Sequence, residues 1–259
     1  QNVALFGVPR SGTTWLGQLL NSSPSVLYRY QPLFSYEFKD FLNESSSQED
    51  IEEFHNRLVK AESEFVKPLH QFNKSAPTHL VWKSVRYHYL AHRLLQESDI
   101  KLVFIKRNPL DVINSWYNAP REFSREEWNI LTEWEKAEKK NLQRSEEYFG
   151  FNKWCEALMI HAQNATEFPD RVFLIDYDQA QLDQALMIES LFGWLGLPVA
   201  SSTRRFMSES MNRDSDDTYS VFKKKSENTL PQTVKDAIVT RTEEFLSDLD
   251  VKYPNLSWG

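Results

Sequence analysis

Short apolar runs separated by amphipathic stretches set the plan of this chain. Residues 3–6, 79–82, 102–105 and 172–175 are continuously apolar rather than alternating, the pattern of strands covered on both faces. Apolar positions recur at helical spacing over 14–20, 51–66, 89–96, 110–117, 126–145, 153–167 and 183–195. Strands alternating with helices predict right-handed crossovers and an α/β fold: a doubly wound, mostly parallel sheet with helices on both faces. Ligands of such sheets sit at the carboxyl ends of the strands, where loops enter helices. Residues 43–50 and the polar, basic tract 208–228 read as loops, the second open to ordering by a ligand. No internal repeat, strong linker or apolar run of membrane-spanning length interrupts the pattern. A single domain over residues 1–259 is expected.

Composition narrows the partners. With 259 residues, 41% of them hydrophobic and 26% charged, the chain suits one sizeable globular enzyme core. Its net charge of −7 argues against nucleic-acid or anionic-membrane partners. An anionic ligand must therefore be held by locally placed cations and backbone N–H groups. Cys155 is the only cysteine, which rules out an intrachain disulfide, argues against a cysteine-based zinc site and favours a reducing cytoplasm. Asn-x-Ser/Thr sequons at Asn21, Asn43, Asn73, Asn164 and Asn255 point instead to a secretory lumen, should a targeting segment precede Gln1.

The first candidate site is the strand–loop–helix of residues 3–20. Gly7 and Gly12 let the backbone turn its N–H groups inward, and the helix that follows adds its dipole, making a P-loop-like phosphate-binding turn. An ordinary strand-to-helix turn is the plain alternative. A triphosphate-hydrolysing loop reads G-x-x-x-x-G-K-[ST]. Here Thr13 stands where that lysine would be, and the cation is Arg10, inside the loop. A second anion site is carried by residues 102–116, a buried strand ending in Lys106 and Arg107 and leading at once into a helix. Asn108 is placed to cap that helix, Pro109 suits its first turn, and Asp111 complements its dipole. Arg107 can fork onto a phosphate, with Ser115 adding a donor.

The run Pro9-Arg10-Ser11-Gly12-Thr13-Thr14-Trp15 closely resembles the 5′-phosphosulfate loop of sulfotransferases that use 3′-phosphoadenosine 5′-phosphosulfate (PAPS). Arg107 with Ser115 eight residues later is similar to that family's 3′-phosphate motif. The resemblance covers residues 1–32, 79–118 and 171–198. It implies transfer of a sulfuryl group from PAPS to an acceptor hydroxyl or amine without a metal, leaving PAP. It makes residues 9–15, Arg107 and Ser115 donor contacts, with Trp15 stacking on adenine and Tyr177 nearby. Lys223, Lys224 and Lys225 are candidates to close over the donor. Arg10 and Lys83 are expected to act on the departing charge, Lys83 resembling the strand-end lysine that reaches the bridging oxygen. Arg86 is an accessory cation on the acceptor side.

The base departs from the family pattern. Where cytosolic members carry a histidine two residues after the strand lysine, this chain has Val85. Where carbohydrate and tyrosyl-protein members carry a glutamate, in a turn corresponding to residues 24–32, it has Gln31. Glu37 and His88 are then the nearest proton acceptors, with Gln31 left to orient the acceptor. That acceptor is expected to be a carbohydrate or small molecule. Two other readings stand beside this one. A P-loop kinase or NTPase would use Asp176 as its magnesium-holding acid, and a nucleotide-binding module would catalyse nothing.

Overall fold

The computed structural model describes residues 1–212 and 227–258. Among them, β1 (Asn2–Phe6), β2 (Val26–Arg29), β3 (His79–Ser84), β4 (Lys101–Lys106) and β5 (Val172–Asp176) form one sheet in the order β2-β3-β1-β4-β5. Every neighbouring pair is parallel. The helices are α1 (Thr13–Asn21), α2 (Gln48–Lys60), α3 (Leu90–Glu97), α4 (Pro109–Tyr117), α5 (Ile130–Lys136), α6 (Glu138–Asn141), α7 (Phe151–Glu167), α8 (Tyr177–Leu182), α9 (Gln184–Leu195), α10 (Ser201–Asn212) and α11 (Gln232–Lys252). Side chains alternate across the sheet. Val3 and Leu5 pack against α1, α9 and α10, whereas Ala4 and Phe6 pack with α2, α3, α4, α7 and α11. This is the doubly wound α/β arrangement, and it brings the carboxyl ends of all five strands to one edge. No helix among the described residues is long and apolar enough to cross a membrane.

The four expected strands are present, each slightly longer than its apolar run. The structure corrects the pattern elsewhere. Residues 26–29, inside the expected turn 24–32, form the edge strand β2. Arg29 on that strand donates to the Leu58 and Val59 carbonyls, satisfying the end of α2, which stops at Lys60 rather than continuing to 66. A capping box between Ser47 and Asp50 starts α2 inside the expected loop 43–50. The stretch 126–145 is broken into α5 and α6 because Ala137 takes a left-handed conformation. Asn141 then ties the chain to the Lys136 and Phe149 carbonyls. α10 runs to Asn212, into the expected loop 208–228, and α11 is an added helix that buries only Val234, Ile238 and Leu249.

Gly17, midway along α1, faces the Tyr28 phenol of β2 so closely that a Cβ would overlap its hydroxyl. The missing side chain lets α1 settle onto the sheet. Two sequon asparagines, Asn21 and Asn164, are buried and hydrogen-bonded within the fold.

Three buried histidines make the core sensitive to acid. His88 Nδ1 and His161 Nε2 lie 3.0 Å apart, both fully buried, and His161 stacks on Phe104 at 4.1 Å. His55 accepts the Trp82 indole N–H at 3.3 Å. Burial pushes His88 down to about 3, His55 down to about 4, and His161 well below the ordinary range. The unfolded chain binds these protons near pH ~6.5 whereas the folded chain does not, so stability present above that pH is lost on acidification. Each strongly shifted histidine contributes ~1.4 kcal/mol per pH unit. Urea unfolding midpoints should therefore fall between pH 7.5 and pH 5, and His161→Leu should flatten that slope. Midpoints independent of pH over this range would contradict the account.

Candidate active site

The loop after β1 closes on itself before it can hold anything. Ser11 is fully buried and sends both its amide (3.2 Å) and its hydroxyl (2.7 Å) to the Val8 carbonyl. Its side chain thus staples the turn. Gly12 sits at φ +95 as the N-cap of α1, with no side-chain cap for the first turn. The first amides of α1 therefore lack intrahelical acceptors and, with the helix dipole, face the carboxyl edge. Arg10 takes a left-handed φ of 72, a conformation that costs an L-residue roughly 1–2 kcal/mol.

That strained backbone directs the Arg10 guanidinium across to the next strand's loop. Arg10 Nε donates to Ser115 Oγ on α4 at 3.0 Å, and Arg107 donates to the Arg10 carbonyl at 3.2 Å. The two loops expected from sequence to bind anions therefore meet, and together they border one basin. Arg107 lies 5.0 Å from the Tyr177 ring centroid, and Tyr177 in turn lies over Gly12 and meets Trp15 edge-on at 5.9 Å. The Trp15 indole is anchored by donation to Ser210 at 3.3 Å. Arg107 Nε is buried with no hydrogen-bond acceptor among the described residues. Its main-chain carbonyl is held by the Trp154 indole at 3.0 Å.

Lys83, at the end of β3, is almost wholly buried. It donates to Thr14 Oγ1 at 2.9 Å and lies 4.2 Å from the centre of the Tyr30 ring. Thr14 also hydrogen-bonds the Tyr30 phenol. Burial, reinforced by Arg10 and opposed by Glu122, pulls the Lys83 ammonium down to about 7. Burial raises Tyr30. Glu122, in the turn after α4, approaches Arg10 at 3.8 Å. Neither Tyr30 nor Glu122 is among the individually expected site residues. Tyr30 lies in the expected turn 24–32 beside Gln31, and Glu122 is one of several acids and aromatics over residues 116–134.

The remaining expected site residues divide. Pro9 is buried in the loop and Thr13 in the first turn of α1. Gln31 follows Tyr30 directly at φ 47. Arg86 pairs with Glu147 and stacks on Phe34 at 4.2 Å. Glu37 is exposed, beyond the short 3-10 turn Pro32–Phe34. His88 follows Tyr87, whose φ is 58, and is fully buried against His161 in the core. Lys223, Lys224 and Lys225 lie outside the described residues. Asp176 is committed twice over, to an ion pair with Lys106 and to the Asp178 and Gln179 amides that open α8.

The sequence matches the family model of the sulfotransferase domain over residues 1–250. The fold is similar to a sulfotransferase from Alicyclobacillus acidocaldarius, with a TM-score of 0.61 at 14% identity over 99% of this chain and 96% of that one. It is also similar to mouse sulfotransferase SULT7A1 complexed with PAP, with 0.58 at 15% identity over 96% and 84%. The sulfotransferase domain of the Synechococcus PCC 7002 olefin synthase gives 0.51 at 17% identity over 95% and 94%. At these identities the likeness to solved structures is one of fold. A comparison with curated protein sequences gives no match.

A Cβ at Gly12 would lie 2.5 Å from the Tyr177 ring as well as requiring φ +95. Gly12→Ala should therefore lower stability by about 1–3 kcal/mol. Adding Tyr177→Ala should recover the overlap part and leave the backbone part. Thermal melts of the two variants check this, and a fully neutral Gly12→Ala would contradict it.

Proposed function

This chain belongs to the sulfotransferase-domain family and transfers a sulfuryl group; we propose that PAPS is its donor and that a hydroxyl of a carbohydrate or small molecule is its acceptor. The observation that carries the donor assignment is the bridge from Arg10 to Ser115, with Arg107 on the Arg10 carbonyl. It draws two cations from distant parts of the chain into one basin, matching a nucleotide with anions at both its 5′ and 3′ positions. The donor set fits. Unpaired first-turn amides of α1, Arg10 and Thr14 suit the phosphosulfate end, and Arg107 with Ser115 suits the 3′-phosphate.

PAPS supplies a sulfuryl group on a labile bond to phosphate, with a less charged transferring group than a phosphoryl. Fixed donors then serve for stabilisation of the charge that develops on departure. Lys83 and Arg10 are the cations nearest that task. Lys83 is held by Thr14 and the Tyr30 ring face, so its position is set before any ligand arrives. The kinase alternative is weakened on two counts. Thr13 occupies the nucleotide-gripping lysine position, and both oxygens of Asp176 are already engaged. For the acceptor, the exposed ring of Phe34 beside Arg86, and the exposed Tyr36–Phe65 pair, offer flat apolar faces of the kind on which sugar or aromatic rings pack.

Calorimetry should give PAP at least ~10-fold tighter binding than AMP, a preference of ~1.4 kcal/mol. Arg107→Ala should weaken PAP by about 10–100-fold while leaving AMP nearly unchanged, since charged hydrogen bonds are worth ~1.5–3 kcal/mol. Equal affinity for PAP and AMP would overturn the donor assignment. Transfer from radiolabelled PAPS to a panel of sugars, alcohols and phenols tests the acceptor class. PAP binding without transfer to any of them would favour the pure binding module.

Lys83 gives a second test. With its ammonium near pH 7, a large share is neutral at pH 8, and an adjacent anion favours the charged form. PAP binding at pH 8 should take up protons, measured as a dependence of the binding enthalpy on the buffer's ionisation enthalpy. Lys83→Met should abolish that uptake.

A further inference from the structure

We propose that Glu122 is the general base that takes the acceptor's proton; the assignment rests on the PAPS reading of the same basin. Glu122 is held from both sides by its own turn. Its amide donates to the Ala119 carbonyl at 2.8 Å, and its carbonyl accepts the Trp116 indole N–H at 3.0 Å. Phe123, next in the chain, is buried edge-on against Trp116 at 5.1 Å. The backbone of Glu122 is thus fixed, and its carboxylate leans into the basin from the α4 side.

Oε2 of Glu122 is buried and accepts no hydrogen bond among the described residues. Among the described residues the cation it approaches is Arg10, with Nη1 at 3.8 Å, too far for a hydrogen bond. Glu122 also acts electrostatically on Lys83 and Tyr30, the groups that flank the sulfuryl end of the basin. A carboxylate in a site otherwise assembled for anions opposes donor binding unless it serves the chemistry. As a mere partner for Arg10 it would be expected at bonding distance. The other proton acceptors are badly placed: His88 is sealed in the core, Glu37 faces solvent, and Gln31 is an amide.

In the proposed step, the acceptor oxygen forms a bond to sulfur while the bridging sulfur–oxygen bond breaks. The electron pair of that bond leaves on the 5′-phosphate oxygen, beside the cations. The acceptor's proton passes to Glu122 and then to solvent. Atoms and charge balance without a further reactant.

The test is Glu122→Gln, with Glu122→Asp as the conservative variant. Both are followed by PAP calorimetry and by sulfuryl transfer from radiolabelled PAPS to an acceptor found with the wild-type protein, with release to water as an acceptor-free readout. General-base loss predicts a fall of about 10²–10⁴-fold in transfer, with PAP affinity unchanged or tighter because a like charge is removed. Glu122→Asp should restore part of the rate. Transfer within a few-fold of wild type in Glu122→Gln would overturn the proposal. So would a drop in PAP affinity of ten-fold or more, the mark of a residue that only props Arg10. Should the wild-type protein itself fail to bind PAP, the donor assignment is what falls, and the role of Glu122 falls with it.

Discussion

Arg10 keeps a left-handed backbone inside a loop that otherwise relies on glycine for such angles. The strain has a visible return. In that conformation the Arg10 side chain crosses to Ser115 on α4 while its carbonyl turns to receive Arg107. One residue thereby joins the loop after β1 to the loop after β4, and the two adjacent strands deliver a single surface. Tyr177, from the far side of β4, closes the group by covering Gly12 and meeting Trp15 and Arg107. The parallel sheet makes this convergence available, because every strand ends at the same edge.

The electrostatics follow from that gathering. A chain of net charge −7 has no general attraction for anions, and the positive charge near the sheet's carboxyl edge is local: Arg10, Lys83 and Arg107 sit in partly or wholly dry surroundings, where each charge is weakly screened. Lys83 is the extreme case, buried deeply enough that its charge is conditional on what lies beside it. The nearby acids are mostly spent on architecture. Asp176 pairs with Lys106 and caps α8, and Asp178 accepts the Asn108 amide at 2.7 Å. Glu122 stands apart because an oxygen of its carboxylate is buried without a hydrogen bond among the described residues.

What could be read from the sequence was local. The loop of residues 7–15 and the Arg107–Ser115 pair are contiguous motifs on strands whose apolar runs announce them, and the α/β layout follows from the alternation of those runs. What could not be read was tertiary or sparsely signalled. The Arg10–Ser115 bond spans 105 residues, and nothing in the order of side chains near 122 marks a carboxylate that folds back to the first loop. β2 is four residues long and sits among serines and a proline, so it reads as a turn. α11 escapes the pattern because few of its positions are buried along 21 residues. His88 misleads for a different reason. It stands close after Lys83 in sequence and so looks like an available proton acceptor, but past Tyr87, with its positive φ, it is fully buried in the core.

The bare backbone of Gly17 carries a consequence for how defects in this protein would present themselves. A glycine there forfeits roughly 0.5–1 kcal/mol of helix propensity relative to alanine, and what it obtains is the depth at which α1 rests under the Tyr28 ring. The anion-facing end of that same helix starts only four residues earlier, at Thr13. Any side chain at 17 would overlap the buried Tyr28 ring and wedge the rod away from the sheet. A lesion on the hidden underside of the rod would then reach its mouth and the packing beneath it together.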